Sequence, residues 1–119
     1  MYKVKYYVTK RGNCPVKDFI DSKKEKSHPK IFAFINQLEQ EGPQLPRPLA
    51  DLLEDGIHEL RIKIAEDKGG TNVRILYFFY DGNDIILTHG FMKTTDEVPV
   101  SEIKKAKKYR EDYIQRKSE

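Results

Sequence analysis

The sequence predicts an α+β fold in which a small, mainly antiparallel sheet carries a helical hairpin and a C-terminal helix. Charged and apolar residues alternate over positions 57–64, as they do in a strand with one packed face and one solvated face. Two apolar stretches, 73–80 and 85–91, flank the turn sequence Asp-Gly-Asn-Asp at 81–84, which is typical of a β-hairpin. Three consecutive strands of this kind favour an antiparallel sheet.

The helices are predicted from proline positions and from the spacing of apolar residues. Residues 2–9 alternate as a first strand, and Pro15 and Pro29 then stand where the first turn of a helix tolerates a residue without an N–H group. Gly42 followed by Pro43 ends the second helix.

The caps and the packed faces of the helices can also be predicted. The expected caps are Asn13 or Cys14 for the first helix, Ser27 or His28 for the second, and Ser101 for a C-terminal helix. The expected inward-facing stripes are Val16, Phe19 and Ile20, then Ile31, Phe34, Ile35 and Leu38, and finally Ile103, Ala106, Tyr109 or Arg110, Tyr113 and Ile114.

The segment between the second helix and the first of the three consecutive strands is proline-rich. It contains Pro43, Pro46 and Pro48, which indicate a stiff loop, and its leucines at 49, 52 and 53 suggest a helical turn that docks onto the core. Asp55-Gly56 is a turn signal. The predicted order is therefore β-α-α-β-β-β-α, and we expect a single domain spanning residues 1–119.

Composition excludes several classes of function. Hydrophobic residues make up 38% of the chain and no run approaches the ~18–20 apolar residues of a membrane helix, so we expect a cytoplasmic protein. Cys14 is the one cysteine and has no internal disulfide partner. His28, His58 and His89 are scattered without the spacing of metal ligands, and Gly69-Gly70 lacks the Lys-Ser/Thr of a phosphate loop, so we predict no metal and no cofactor.

A set of cationic and titratable side chains remains on the three strands. Arg74 interrupts an apolar strand, and its simplest explanation is a structural ion pair, with Glu59 on the neighbouring strand as the partner. If the strands are neighbours, five side chains share one patch: Glu59, Arg61, Arg74, His89 and Lys93. Such a patch suits metal-free RNA cleavage, in which the 2′-OH attacks the adjacent phosphate, because that reaction needs proton-transfer groups and cations for the developing charge. Each of these residues alone has an ordinary structural explanation.

Further residues are candidates for contacts with the RNA outside this patch. Net charge is +3, and the basic excess lies at the two ends of the chain. Lys63 on the predicted polar face, Tyr80 as a stacking ring, and Lys104 and Lys108 on the C-terminal helix are the expected RNA-binding residues. A solvated lysine surface explains the charges of that helix equally well.

Several sequence blocks together resemble a known family. The blocks are Glu-Leu-Arg at 59–61, Arg-Ile-Leu-Tyr at 74–77 and His-Gly-Phe-Met-Lys at 89–93, followed by Pro99 and Glu-Ile-Lys-Lys-Ala at 102–106. Their order and spacing resemble the HigB-type, phage Gp49-like branch of the RelE toxin superfamily over about residues 50–110.

The resemblance implies a RelE-like fold and a type II toxin that cleaves mRNA on the ribosome and is silenced by a cognate antitoxin, expected to be a helix-turn-helix protein. It implies that Arg74 contacts the scissile phosphate, that Arg61 and Lys93 bind RNA or stabilise charge, and that Glu59 and His89 are candidates for proton transfer.

One segment departs from the family pattern, and two other functions stay open. Related sequences usually carry a basic, polar run after the strand-end lysine, whereas this chain has Thr-Thr-Asp-Glu-Val at 94–98. Asp96 and Glu97 beside a phosphate site would repel RNA unless they point away. The alternatives are a ParE-like toxin that poisons DNA gyrase and a non-catalytic RNA-binding or phage interaction protein.

Overall fold

The computed structural model of the chain describes residues 1–66 and 71–119, and its centre is a five-stranded sheet. The strands are β1 (Lys3–Tyr6), β2 (Ala50–Glu54), β3 (Ile57–Lys63), β4 (Asn72–Tyr80) and β5 (Asp84–Met92). They lie in the order β1-β5-β4-β3-β2, with β1 parallel to β5 and the other neighbouring pairs antiparallel. The predicted α+β class and mainly antiparallel sheet are confirmed. Gly69 and Gly70, which were considered above for a phosphate loop, lie outside the described residues.

Helices cover both faces of the sheet. The helices are α1 (Pro15–Asp21), α2 (His28–Glu41) and α3 (Val100–Lys117), with single-turn 3₁₀ helices at Glu25–Ser27 and Gly42–Gln44. The first two pack against the face formed by Leu60, Ile62, Ile75 and their neighbours, as the predicted helical hairpin requires. The third packs against the opposite face through Ala106 and its neighbours. In the part of the chain that the structure describes, no helix is long and apolar enough to cross a membrane.

Residues 50–54 form an extra strand where we predicted a helical turn. β2 pairs with β3 and joins it through a tight turn in which Asp55 and Gly56 have positive φ values of 48° and 75°. Leu52 is 56% exposed and does not dock onto the core. The prolines before β2 disfavour a helix, and the free edge of β3 offers hydrogen-bond partners to an extended segment.

Other local predictions also need correction. Helix α3 begins at Val100 after Pro99, so Ser101 lies inside the first turn rather than at the cap. Ile114 is 43% exposed, so the packed stripe of α3 is shorter than predicted. The strand face carrying Glu59 was predicted to be solvated, but Glu59 is only 6% exposed because α3 and the segment before it cover that face.

Candidate functional site

Arg74 is a buried cation held by two protein contacts. It lies on β4, inside the sheet, and is 5% exposed. Its Nε lies 2.9 Å from Glu59 Oε1 on β3, and its Nη1 donates a hydrogen bond of 3.0 Å to the carbonyl oxygen of Val73. The Nε–H of Arg74 is not aligned for a hydrogen bond with Oε1 of Glu59, so the contact is an ion pair without a hydrogen bond. Burial lowers the pKa of Arg74 and Glu59 opposes that shift, and the guanidinium stays charged.

One atom of each partner in this ion pair remains open. Glu59 Oε1 and Arg74 Nε are sealed from solvent and make no hydrogen bond. Glu59 Oε2 and Arg74 Nη2 likewise have no protein partner in residues 1–66 and 71–119, but they are not among the sealed atoms. Both residues line a cleft, so a ligand bound there would find a carboxylate oxygen and a guanidinium nitrogen without a hydrogen-bond partner in the described protein.

Arg61 faces Arg74 directly across the sheet. The two residues are register partners in the antiparallel pair of β3 and β4, and Arg61 contributes to lowering the pKa of Arg74. Like charges placed opposite each other destabilise a sheet. Arg61 is half-buried and makes no ion pair with any other described residue. A bound anion would relieve this repulsion, since a phosphate accepts hydrogen bonds from two guanidinium groups at once.

Both arginines line a cleft of about 440 Å³ on the α3 face, which we call the Arg74 cleft. Within the described part of the chain, its charged lining consists of four cations (Arg47, Arg61, Arg74 and Lys93) and four acids (Asp51, Glu59, Asp96 and Glu97), beside Leu53, Val98 and Ile103. The structure thus brings together four of the five predicted catalytic residues. These described charges balance: Arg47 pairs with Asp51 and Arg74 with Glu59, whereas Arg61 and Lys93 have no ion pair with a described residue.

Asp96 and Glu97 are exposed residues that line this cleft. Lys93 lines it with them, and no described residue lies within ion-pair distance of either carboxylate. The departure of residues 94–98 from the family pattern therefore has a structural consequence. A phosphate bound in this cleft would be repelled by two carboxylates as well as attracted by the arginines.

His89 lies outside the Arg74 cleft. Leu76 pairs with His89 and Tyr77 pairs with Leu87, so Thr88 is an extra residue in β5 and forms a β-bulge. His89 lies on the α3 face of the sheet, where its Nε2 lies 3.0 Å from Glu102 Oε1. Its Nδ1 lies 3.0 Å from the hydroxyl of the neighbouring Thr88.

The surroundings of His89 leave no ring nitrogen free. The side chain is 4% exposed, and burial lowers the pKa of His89 although the hydrogen bond to Glu102 opposes that shift. The structure therefore places His89 beneath α3, beside the cleft rather than in it.

The four predicted RNA-binding residues are spread over three places. Lys63 lines a second cleft of about 300 Å³, which we call the Lys30 groove and which also contains Lys30, Phe34, Arg61 and Arg74. Tyr80 lies at the hairpin end of β4 with its ring edge-on to Tyr113. Lys104 and Lys108 are exposed on α3 and line neither cleft.

Sequence reasoning missed three lining residues. Arg47 and Asp51 form an ion pair of 3.1 Å at the border of the Arg74 cleft, and Lys30 reaches the Lys30 groove from α2. Their positions depend on how β2 and α2 pack beside β3, for which the sequence carries no local signal. Among the described residues, no three His, Cys, Asp or Glu side chains form a group that could hold a metal ion.

Comparison with known proteins places the chain in a family. Residues 18–111 match the family model described as Phage derived protein Gp49-like (DUF891), which covers most of the chain and includes every strand of the Arg74 cleft. None of the curated proteins compared with the chain matches it. The chain therefore belongs to the family of phage-derived Gp49-like proteins.

Proposed function

We propose that this Gp49-like chain is a RelE/HigB-type toxin of a type II toxin–antitoxin system, an endoribonuclease that cuts mRNA on the ribosome. A cognate helix-turn-helix antitoxin holds it inactive in this proposal. The observation that carries it is the buried Arg74, which is fixed by Glu59 and Val73 and lines a cleft beside a second arginine.

The open atoms of the cleft suit attack by the 2′-OH on the adjacent phosphate. Arg74 and Arg61 hold the phosphate oxygens and stabilise the negative charge that develops there. Glu59 Oε2 accepts the 2′ proton, while Oε1 remains against Arg74. Lys93 donates a proton to the leaving 5′ oxygen. The 2′ oxygen–phosphorus bond forms and the bond to the 5′ oxygen breaks, leaving a 2′,3′-cyclic phosphate and a 5′-hydroxyl.

The Lys30 groove supports a polyanionic substrate. It shares Arg61 and Arg74 with the Arg74 cleft, and the charged residues that line it within 1–66 and 71–119 are all cations: Lys30, Arg61, Lys63 and Arg74. Phosphates that flank the cleavage site are attracted along this groove and repelled by Asp96 and Glu97, which line the Arg74 cleft but not this groove. The half-buried ring of Phe34 adds a surface on which an unpaired base can stack.

The test is to induce the protein in bacteria without its antitoxin and to map mRNA 5′ ends. We expect growth arrest and new 5′-hydroxyl ends within translated regions. DNA breaks without such ends would instead identify a gyrase poison, and harmless expression would identify a non-catalytic protein. Either result would overturn the proposed function.

The variant that tests the site is Arg61→Ala. Arg61 has no counter-ion among the described residues, so its removal leaves no buried carboxylate behind, and the folded protein should be as stable as the wild type. Cleavage should fall by about 10²-fold or more, because an arginine that stabilises the transition state is lost. Arg11→Ala is the matched control, since Arg11 is exposed and lines neither cleft. Equal cleavage by the two variants would contradict the assigned role.

A further inference from the structure

A third cleft adjoins the Arg74 cleft and has a different chemical character. We call it the Tyr77 pocket: a cleft of about 280 Å³ with His58 and Tyr77 in its lining and apolar walls that include Leu45, Pro46, Ala50 and Leu52. Successive residues of a strand point to opposite faces, so Leu53 of β2 lines the Arg74 cleft while Leu52 lines the Tyr77 pocket. Arg47 and Asp51 line both, so their ion pair forms the border between the two clefts.

Tyr77 presents a hydroxyl group that the protein does not use. The residue is only 2% exposed, and its hydroxyl makes no hydrogen bond with any residue of the described ranges. The hydroxyl is not among the sealed polar atoms either, and Tyr77 is a lining residue of the pocket. Burial raises the pKa of Tyr77, which keeps the group protonated and able to donate. A nearly buried hydroxyl without a partner costs stability, and a ligand that bonds to it removes that cost.

His58 supplies a second uncommitted polar group beside the first. Its ring stacks on that of Tyr77 with the centroids 5.2 Å apart and an angle of 16° between the planes. The residue is half-buried and has no hydrogen-bond partner within residues 1–66 and 71–119. Burial lowers the pKa of His58, which favours the neutral imidazole. A neutral imidazole presents one donor and one acceptor.

These features select the chemistry of the ligand. A phosphate would be drawn to the cations of the Arg74 cleft or the Lys30 groove rather than to neutral donors. Apolar walls and two neutral groups that donate and accept suit a flat, uncharged ring with hydrogen-bonding atoms on its edge. A nucleobase has this form, and the shared border at Arg47 makes the pocket continuous with the place where we put the phosphate.

We infer that the Tyr77 pocket binds one nucleobase of the RNA strand whose phosphate lies at Arg74, and that the Tyr77 hydroxyl and His58 read the edge of that base. This inference rests on the proposed function. In this inference the RNA base is recognised in the Tyr77 pocket, on one side of β2, while the reacting phosphate lies in the Arg74 cleft on the other side.

The test compares the binding of three uncleavable RNA strands. The probes are fluorescently labelled 2′-O-methyl hexanucleotides of adenosine, cytidine and uridine, and the readout is fluorescence anisotropy. The wild type should prefer one of the three. Tyr77→Phe keeps the ring and removes the hydroxyl, and it should weaken binding of the preferred strand about threefold to tenfold while changing the others less. Its melting temperature should not fall, because the hydroxyl has no protein partner.

Tyr113→Phe is the matched control. Its hydroxyl also lacks a partner, but that hydroxyl is sealed from solvent and Tyr113 lines neither the Arg74 cleft nor the Tyr77 pocket. This variant should bind all three strands as the wild type does. Proton NMR gives an independent readout: the preferred strand should shift the His58 ring resonances, which are assigned by their loss in His58→Gln.

The outcomes separate this inference from the proposed function. If the wild type cuts mRNA but Tyr77→Phe binds the three strands as the wild type does, the pocket is not the base site and the nuclease proposal stands. If the wild type cuts no RNA yet shows the base preference and the His58 shift, cleavage is wrong and the pocket stands. A wild type that binds none of the strands overturns the inference.

Discussion

Replacing Arg74 by methionine leaves Glu59 charged at a place where only 8% of its side chain is exposed. At a separation of 2.9 Å and an effective dielectric constant of about 20, the attraction lost is about 6 kcal/mol. Relief of the repulsion between Arg74 and Arg61 offsets part of that loss. We therefore expect the free energy of unfolding to fall by about 3–5 kcal/mol, which is the usual cost of breaking a buried ion pair on one side. Glu59→Leu should cost a similar amount, because it leaves the guanidinium without its carboxylate.

The double variant Glu59→Leu with Arg74→Met should be far less damaged than either single variant. It removes both charges and replaces them with apolar side chains, so its stability should lie within about 1–2 kcal/mol of the wild type or above it. Urea unfolding, followed by circular dichroism, measures the free energy of unfolding of the wild type, the two single variants and the double variant. The reasoning is refuted if each single variant loses less than about 1 kcal/mol, or if the losses simply add in the double variant.

The expected loss of folding stability also decides which variant of Arg74 can test its role in catalysis. A loss of about 3–5 kcal/mol is a large part of the total stability of an ordinary domain, so Arg74→Ala loses function through unfolding as well as through chemistry. Arg74→Lys keeps a positive charge beside Glu59 and removes the planar fork that binds phosphate oxygens. We expect a folded protein with strongly reduced cleavage from this variant.

Two further predictions concern Asp96 and Glu97 and the effect of pH. The double variant Asp96→Asn with Glu97→Gln should bind the uncleavable RNA strands about threefold to tenfold more tightly at low salt. The gain in affinity should shrink as added salt screens the charges. An unchanged affinity would show that Asp96 and Glu97 do not face the RNA. Burial lowers the pKa values of His58 and His89 in the folded protein, so the unfolded chain binds protons more readily near pH 6. Stability should therefore fall as pH drops from about 7 to 5, by at most about 1.4 kcal/mol per pH unit for each histidine, and His58→Gln should flatten the urea-midpoint profile. A wild-type midpoint as high at pH 5 as at pH 7 would contradict this.

Local periodicity by itself determined much of the fold. Helical spacing after Pro15 and Pro29 located the hairpin of helices, and alternation over residues 57–64 identified the packed face of β3. A charged residue inside an apolar strand needs a counter-charge, and that rule alone named Glu59 as the partner of Arg74. Each of these predictions depends on residues close in sequence or on one neighbouring strand.

Contacts between distant segments decided the rest. The parallel pairing of β1 with β5 and the capture of residues 50–54 by the edge of β3 depend on which backbone groups remain free after the other strands have paired. His89 lies on the same face of the sheet as Arg74, but α3 covers it and Glu102 of that helix occupies its Nε2. How that helix docks on the sheet leaves no local mark in the sequence of β5.

The charge balance of the site was likewise settled by tertiary packing. Arg47, Asp51, Asp96 and Glu97 come from connecting segments and an edge strand, and only the packing of those segments around β3 and β4 brings them to Arg74. The sequence by itself determined that a buried arginine needs an acid beside it. The tertiary structure decided which of its atoms stay open, because exposure depends on every segment that covers the sheet.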